Sequence, residues 1–316
     1  MNEHRIVITS DLAGERADKV VATVLQVSRA AARAAFDAGA VVVDGSPISP
    51  SDNLTEGTVA TVTLVEPRGL EADATVPFTV VFEDPDIVVV DKPIGVVVHP
   101  TSERSTGTLV HGLVARYGDI VGVGAPGRWG IVHRLDRDTS GLLVVARTPR
   151  AHEALSSMMR ERSIVRTYLT LVAGRFDGTL GTIDAPIARD PRNPTRMTLD
   201  RSGRQAITHY RRLAEWGTYD LSLVSVTLET GRTHKIRVHM QAIDHPIVGD
   251  PAYGRIGMPA DPGRPWLHAH RLEFTHPFGG SPVDIVASLP ADLTDSLAVI
   301  GDPDTGDLEA IDRTTP

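Results

Sequence analysis

The chain has 316 residues, 41 % hydrophobic and 23 % charged, with a formal net charge of −8. That length exceeds one typical domain and allows a sizeable core. There is no cysteine, which excludes disulfides, thiolate zinc sites, iron–sulfur clusters and cysteine nucleophiles.

The opening stretch MNEHRIVITSDLAGERAD lacks a basic segment followed by an apolar core, so no secretory signal is expected. No run reaches the ~18 apolar residues of a spanning helix, and the expected location is the cytoplasm. Residues 14–45, GERADKVVATVLQVSRAAARAAFDAGAVVVDG, predict two short helices and a strand. Apolar spacing is helical from Ala17 to Leu25. Ser28 is placed to cap a second helix that runs to about Ala38, and Gly39 closes it. Val41 to Val43 then reads as a strand, Asp44-Gly45 as a hairpin turn, and TVATVTLV (58–65) as a further strand. Turn formers and charges in EPRGLEADATVP (66–77) mark a boundary. The expected division is a small α/β module over 1–70, a linker over 71–77, a larger domain over 78–290 and an acidic tail over 291–316. The tail has little apolar pattern and is expected to be peripheral.

From residue 78 the pattern turns to strands rich in Val, Ile, Leu and Thr: FTVVFED, DIVVVDKP, GLLVVAR, RTYLTLVAG, YDLSLVSVTLE and HKIRVHM. Helices are expected at 107–117 and 150–162. Strands with few helices predict an α+β sheet domain. Charge is uneven along the chain. Residues 1–90 carry 6 basic and 14 acidic side chains, residues 91–283 carry 25 and 18, and residues 284–316 carry 1 and 8. In the basic middle all but Lys92 and Lys235 are arginine, the residue suited to phosphate and base contacts. Such a stretch serves either a nucleic-acid partner or the acidic ends of its own chain, and charge alone does not choose.

Four stretches set polar, charged and glycine residues beside strands: DKPIGVVVHP (91–100), HRLDRDTSG (133–141), GRTHKIRVHMQAIDHPIVGDPAYG (231–254) and LHAHRLEFTHP (267–277). In the second, Asp136 lies between Arg134 and Arg137 at the junction of two apolar runs. It is either a turn-capping surface residue or a held carboxylate facing a pocket. The second role requires a guanidinium from elsewhere in the chain, because burial raises a carboxylate pKa and a nearby cation lowers it again. Arg237, read as lying within the apolar strand HKIRVHM, is the candidate, since an unpaired guanidinium there is costly. His268 and His270 share a strand face and, with His276 or Asp250, offer a rival metal site. No HExxH or dense Asp/His cluster accompanies them, and no bound metal is expected. Phosphate loops of the GxxxxGK[ST] and GxGxxG kinds are absent, as is GxSxG, so no cofactor is expected.

HRLDRDTSG resembles the HRLDxxTSG signature of RluA-type (RluA/RluD-like) pseudouridine synthases. DKPIGVVVHP, RTYLTLVAG, GRTHKIRVHM with DHPIVGDPAYG, and LHAHRLEFTHPF resemble that family's other motifs, in family order over about residues 80–280. Residues 14–65 are similar to an S4 RNA-binding module, which commonly precedes the catalytic domain there.

The resemblance implies an α+β fold: a mixed, largely antiparallel central sheet with flanking helices, preceded by the S4-like module. It implies an enzyme that isomerises uridine to pseudouridine in RNA, most simply large-subunit ribosomal RNA, working as a monomer without cofactor. Transfer RNA, or a non-catalytic ribosome-assembly role, are the alternatives. By the same resemblance Asp136 is the catalytic carboxylate, Arg237 its ion-pair partner and Tyr168 the aromatic packed on the uracil. Arg134 handles the flipped nucleotide. His133 and Lys235 are assigned to RNA contact, Lys235 standing where the family often has glutamine. Arg29 and Arg33, four apart on one helix face, are assigned to phosphate, and Gly141 to close backbone packing beside the Asp136 turn.

Overall fold

The structure is a computed structural model that describes residues 2–25, 27, 29–64, 70–101, 104–124, 127–229 and 231–311. The N-terminal part comprises β1 (Asn2–Val7), α1 (Ala17–Val24), α2 (Arg29–Asp37), β2 (Val41–Val43), β3 (Ser46–Pro47) and β4 (Val59–Leu64). Its four strands form an antiparallel sheet in the order β1-β4-β2-β3. Val20, Val21, Ala32, Phe36, Val41 and Val62 build a core of its own. Asp44 and Gly45 both take positive φ, 48° and 81°, the conformation of a two-residue hairpin turn. The expected Ser28 cap lies outside the described residues.

The larger part runs β5 (Thr79–Glu83), β6 (Ile87–Lys92), α3 (Leu109–Arg116), β7 (Ser140–Ala146), α4 (Pro149–Glu161) and β8 (Val165–Ala173). It continues with β9 (Leu180–Asp184), β10 (Ile187–Arg189), β11 (Met197–Leu199), β12 (Ile207–Trp216) and β13 (Leu221–Leu228). It closes with α5 (Lys235–Ala242), β14 (Leu267–Thr275), β15 (Pro282–Val286), α6 (Ala291–Ile300) and β16 (Thr305–Gly306). One sheet orders β16-β12-β13-β8-β14-β7-β6-β5, with β15 on β14 and β9 on β12. All its pairings are antiparallel except β14 with β7, which gives the mixed, largely antiparallel α+β sheet expected. Burial explains the strand sequences. β7, SGLLVVA, is buried at every position and reads as an unbroken apolar run, whereas β5 alternates as a half-covered strand does.

The parallel pairing sets Gly141 against Ala269. Gly141 has φ +113°, and a Cβ there would stand 2.2 Å from the Ala269 carbonyl oxygen. Only glycine permits this approach, and it fixes where β7 begins.

Two expectations are corrected. HKIRVHM is not a strand, because Lys235–Ala242 form α5. Its alternation suggested one wet face, yet every residue from Lys235 to Met240 is buried. The polar ones enter the interior because each meets a partner there: Lys235 Nζ donates to Ile207 O, Arg237 binds Asp250, and His239 bonds Thr208 Oγ1. Nor is the acidic stretch from residue 291 peripheral. Leu293, Leu297 and Ile300 of α6 are buried in the main core. Trp266 Nε1 donates to Ser296 Oγ at 2.7 Å and Trp216 Nε1 to Gly301 O at 2.8 Å. The apolar stripe at helical spacing is sparse among carboxylates, which hid it.

Truncation after Pro290 therefore removes three core side chains, each contributing about 1.5–3 kcal/mol. That sum is comparable with the ~5–15 kcal/mol that stabilises a typical domain. The truncated chain is expected to lose its cooperative thermal transition. A melt matching that of the full chain would show the helix to be dispensable.

Candidate active site

Asp136 sits in the loop that enters β7, and backbone anchors hold this loop from three sides. Lys92, fully buried at the end of β6, donates through Nζ to Pro93 O at 2.9 Å and Arg137 O at 3.2 Å. Gly95 N donates to the same Arg137 carbonyl, and Thr139 N closes the turn onto Asp136 O. The buried guanidinium of Arg264 reaches Asp138 O, Leu267 O and Ser140 Oγ while pairing with Asp292. Burial pulls the Lys92 ammonium down to about 8, against the opposing pull of Asp136.

The Asp136 carboxylate points at the start of α5. Its Oδ2 lies 3.5 Å from Arg237 Nη1 and 3.9 Å from His234 Nε2. Arg237 is gripped more tightly by Asp250, through bonds of 2.6 and 2.7 Å from Nε and Nη2. Asp250 is fully buried and also accepts the N–H groups of Ala252 and Tyr253. Burial opposes its charge, but the Arg237 bonds outweigh it and hold its pKa below the usual carboxylate range. The Tyr253 ring lies 4.9 Å from the Arg237 guanidinium carbon, and its hydroxyl meets His234 Nδ1 at 2.9 Å. Arg237 thus presents one remaining N–H edge to Asp136 from a fixed rotamer.

Asp136, His234 and Arg237 line a cavity of about 650 Å³ together with Tyr168, within the range of small-molecule sites. Burial raises the Tyr168 hydroxyl pKa, with Arg166 opposing and Asp136 adding. Arginines 128, 134, 160, 162, 166 and 232 also line it, against the carboxylates of Asp136 and Glu229. The basic middle of the chain therefore has a definite focus. Arg134 is exposed at this cavity and makes no ion pair with a described residue.

The other sequence assignments divide. His133 turns inward: its ring is buried, Nε2 accepts the Val144 N–H, and burial holds its pKa down at about 3. It braces the loop against β7 and also lines the cavity. Lys235 lines the cavity but is buried and anchored to β12, and burial, then Arg166, pulls it down to about 7. Arg33 is exposed and paired with Asp37; the side chain of Arg29 lies outside the description. His268 and His270 bond Ser140 Oγ and the backbone carbonyls of Ala287 and Ile311. Among the described residues no group of three or more His, Cys, Asp or Glu could hold a metal. Sequence reasoning placed Asp250 only in the rival metal site and did not single out Lys92 or Arg264 as site residues. The signal for Asp250 was the argument used for Asp136, since a buried guanidinium needs a carboxylate.

Comparison with known proteins identifies the family. Residues 86–242 match the family described as RNA pseudouridylate synthase. The chain is 41 % identical over 299 residues to the uncharacterized RNA pseudouridine synthase YlyB of Bacillus subtilis, covering 94 % of this chain and 98 % of that one. It is 39 % identical over 301 residues to ribosomal large subunit pseudouridine synthase D of Xanthomonas campestris, covering 91 % and 89 %. The solved structure of human RNA Pseudouridylate Synthase Domain Containing 1 aligns with a TM-score of 0.59 at 28 % identity, covering 80 % of this chain and 99 % of that one.

Two stability measurements follow from the site. Asp250→Ala strands a buried guanidinium and is expected to cost about 3–5 kcal/mol in urea unfolding; a loss below about 1 kcal/mol would mean that Arg237 is not held by this pair. Lys235 has a folded pKa of about 7 against 10.5 when free. Above pH 7 the unfolded chain therefore binds more protons, and stability rises with pH. Between pH 7 and 9.5 the urea midpoint should climb, and Lys235→Met should flatten the climb. An equal slope in both proteins would refute the assignment.

Proposed function

The chain belongs to the RNA pseudouridylate synthase family, and from that premise we propose that Asp136 is its catalytic carboxylate and large-subunit ribosomal RNA its substrate. The observation that carries the first half is the ion pair of Asp136 with Arg237 at the wall of a cavity shared with Tyr168. The second half is supported by relatives named ribosomal large subunit pseudouridine synthase D, among them the Xanthomonas protein.

The reaction is an isomerisation. The N1–C1′ bond of uridine breaks, the uracil turns, C5 bonds to C1′, the C5 hydrogen leaves and N1 gains one. Nothing is oxidised or reduced, so the side chains need only hold the nucleotide, supply a carboxylate and move a proton. Arg237 lies within ion-pair distance of Asp136 and faces its carboxylate. Asp250 on the far side of the guanidinium fixes its direction, so that little reorganisation remains for the reaction. Tyr168 offers a buried ring face on which the uracil packs, with a hydroxyl in reach of the C5 proton.

A stacked uridine cannot enter this cavity. It is flipped out at a cost of a few kcal/mol, and Arg134, exposed at the mouth and free of an acidic partner among the described residues, occupies the space left in the RNA. The N-terminal sheet and helices act as an S4-like RNA-binding module of small affinity, because that region is acidic and Arg33 is already engaged by Asp37.

Asp136→Asn is expected to reduce tritium release from RNA labelled at uracil C5 by at least ~10³-fold while melting as the parent does. Activity within tenfold of the parent would remove Asp136 from the chemistry. Pseudouridine mapping of cellular RNA with and without the protein should show the lost sites in large-subunit ribosomal RNA. Losses confined to transfer RNA would reassign the substrate.

A further inference from the structure

Arg166 stands out among the cavity's cations. It is only 6 % exposed, yet Nε is buried with no hydrogen-bond partner, and no ion pair with a described carboxylate compensates it. A buried, unsatisfied donor on a charged group calls for an explanation, and a cationic one facing a cavity implies an anion that arrives there. Arg166 is two residues before Tyr168 on β8, so both side chains leave the same face of the strand, about 6.6 Å apart along it. That spacing is comparable with the span between the base of a nucleotide and its backbone phosphate.

The surroundings agree on the sign of the ligand. Arg162, Arg232 and Lys235 join Arg166 on this wall of the cavity. The acid beside them, Glu229, is already engaged by Arg162 and by His209 Nε2. Arg232 has no acidic partner among the described residues. A neutral carbonyl of the base needs one donor, whereas this surplus of positive charge calls for an anion. Access is also preserved. Gly231 does not have the positive φ that demands glycine, and the atom a Cβ there would meet is Arg166 Nη1, at 3.6 Å. A larger residue would cover the guanidinium.

We infer that Arg166, supported by Arg162, Arg232 and Lys235, forms a phosphodiester subsite that grips the RNA backbone beside the uridine whose base packs on Tyr168. This rests on the reading of the cavity as the uridine site. Arg166 is a binding residue: it holds the phosphate, and with it the nucleotide, in the cavity. A planar guanidinium can hold two phosphate oxygens at once, and the neighbouring cations supply the field that draws the backbone in.

The test uses the full chain and RNA from cells lacking the protein, labelled with tritium at uracil C5. Filter binding gives affinity against salt, and tritium release gives kcat and KM. Arg166→Met and Gly231→Val should each weaken binding about tenfold at low salt and lower the salt slope by roughly 0.7, one single-strand phosphate contact. Arg166→Lys should keep the slope. The loss should appear in KM, which should rise with the weakened binding, more than in kcat. A slope unchanged in both weakened variants, with parental melting, overturns the subsite, as does a fall in kcat at unchanged affinity, which would place Arg166 on the base. Salt-sensitive binding without tritium release would instead refute the proposed reaction, leaving the slope to decide the role of Arg166.

Discussion

A guanidinium held between two carboxylates organises this molecule. Arg237 is clamped by the fully buried Asp250 and offers its remaining edge to the partly exposed Asp136. The two contacts differ in kind. The inner one is short, bidentate and dry, so it fixes the rotamer and keeps the guanidinium from searching for water. The outer one is longer and faces the cavity, so it orients Asp136 without burying it. A lone buried arginine would be too costly to keep, and a lone arginine near the surface would be too mobile to aim.

The aim also depends on the loop that carries Asp136. That loop is tied through its carbonyl groups to the ammonium of Lys92 and the guanidinium of Arg264, and it runs into β7 at the one point where the sheet is parallel. Parallel pairing there needs the glycine at 141, because a Cβ would collide with the Ala269 carbonyl. Buried cations thus serve as struts, and burial depresses the Lys92 pKa as a consequence of that use.

Charge is arranged by the same logic. The chain is acidic in total, but its arginines do different work by position. Arg147 packs over Tyr117 and pairs with Asp119, and Arg271 binds Asp284; these answer the acidic neighbours of their own fold. Those around the cavity outnumber the carboxylates there, which makes a local positive field inside an acidic protein. The charge profile of the sequence left two readings open, and the structure divides the arginines between the acids of their own fold and the wall of the cavity.

The sequence by itself determined the strands whose apolar runs are unbroken, the turn at Asp44-Gly45 and the order of motifs around Asp136, because these depend on local sterics and on chemistry read residue by residue; the glycine at 141 is instead required by the distant Ala269 carbonyl. The tertiary structure alone decided that HKIRVHM is a helix, that His133 and Lys235 face inward, that Asp250 holds Arg237 and that the acidic stretch after residue 290 is anchored by three apolar side chains. The reason is common to all four. Whether a polar residue is buried, and so what period its neighbours show, depends on a partner supplied by a distant segment: Ile207 for Lys235, Val144 for His133, Asp250 for Arg237. A pattern along one dimension records the residue but not the partner that makes its burial affordable.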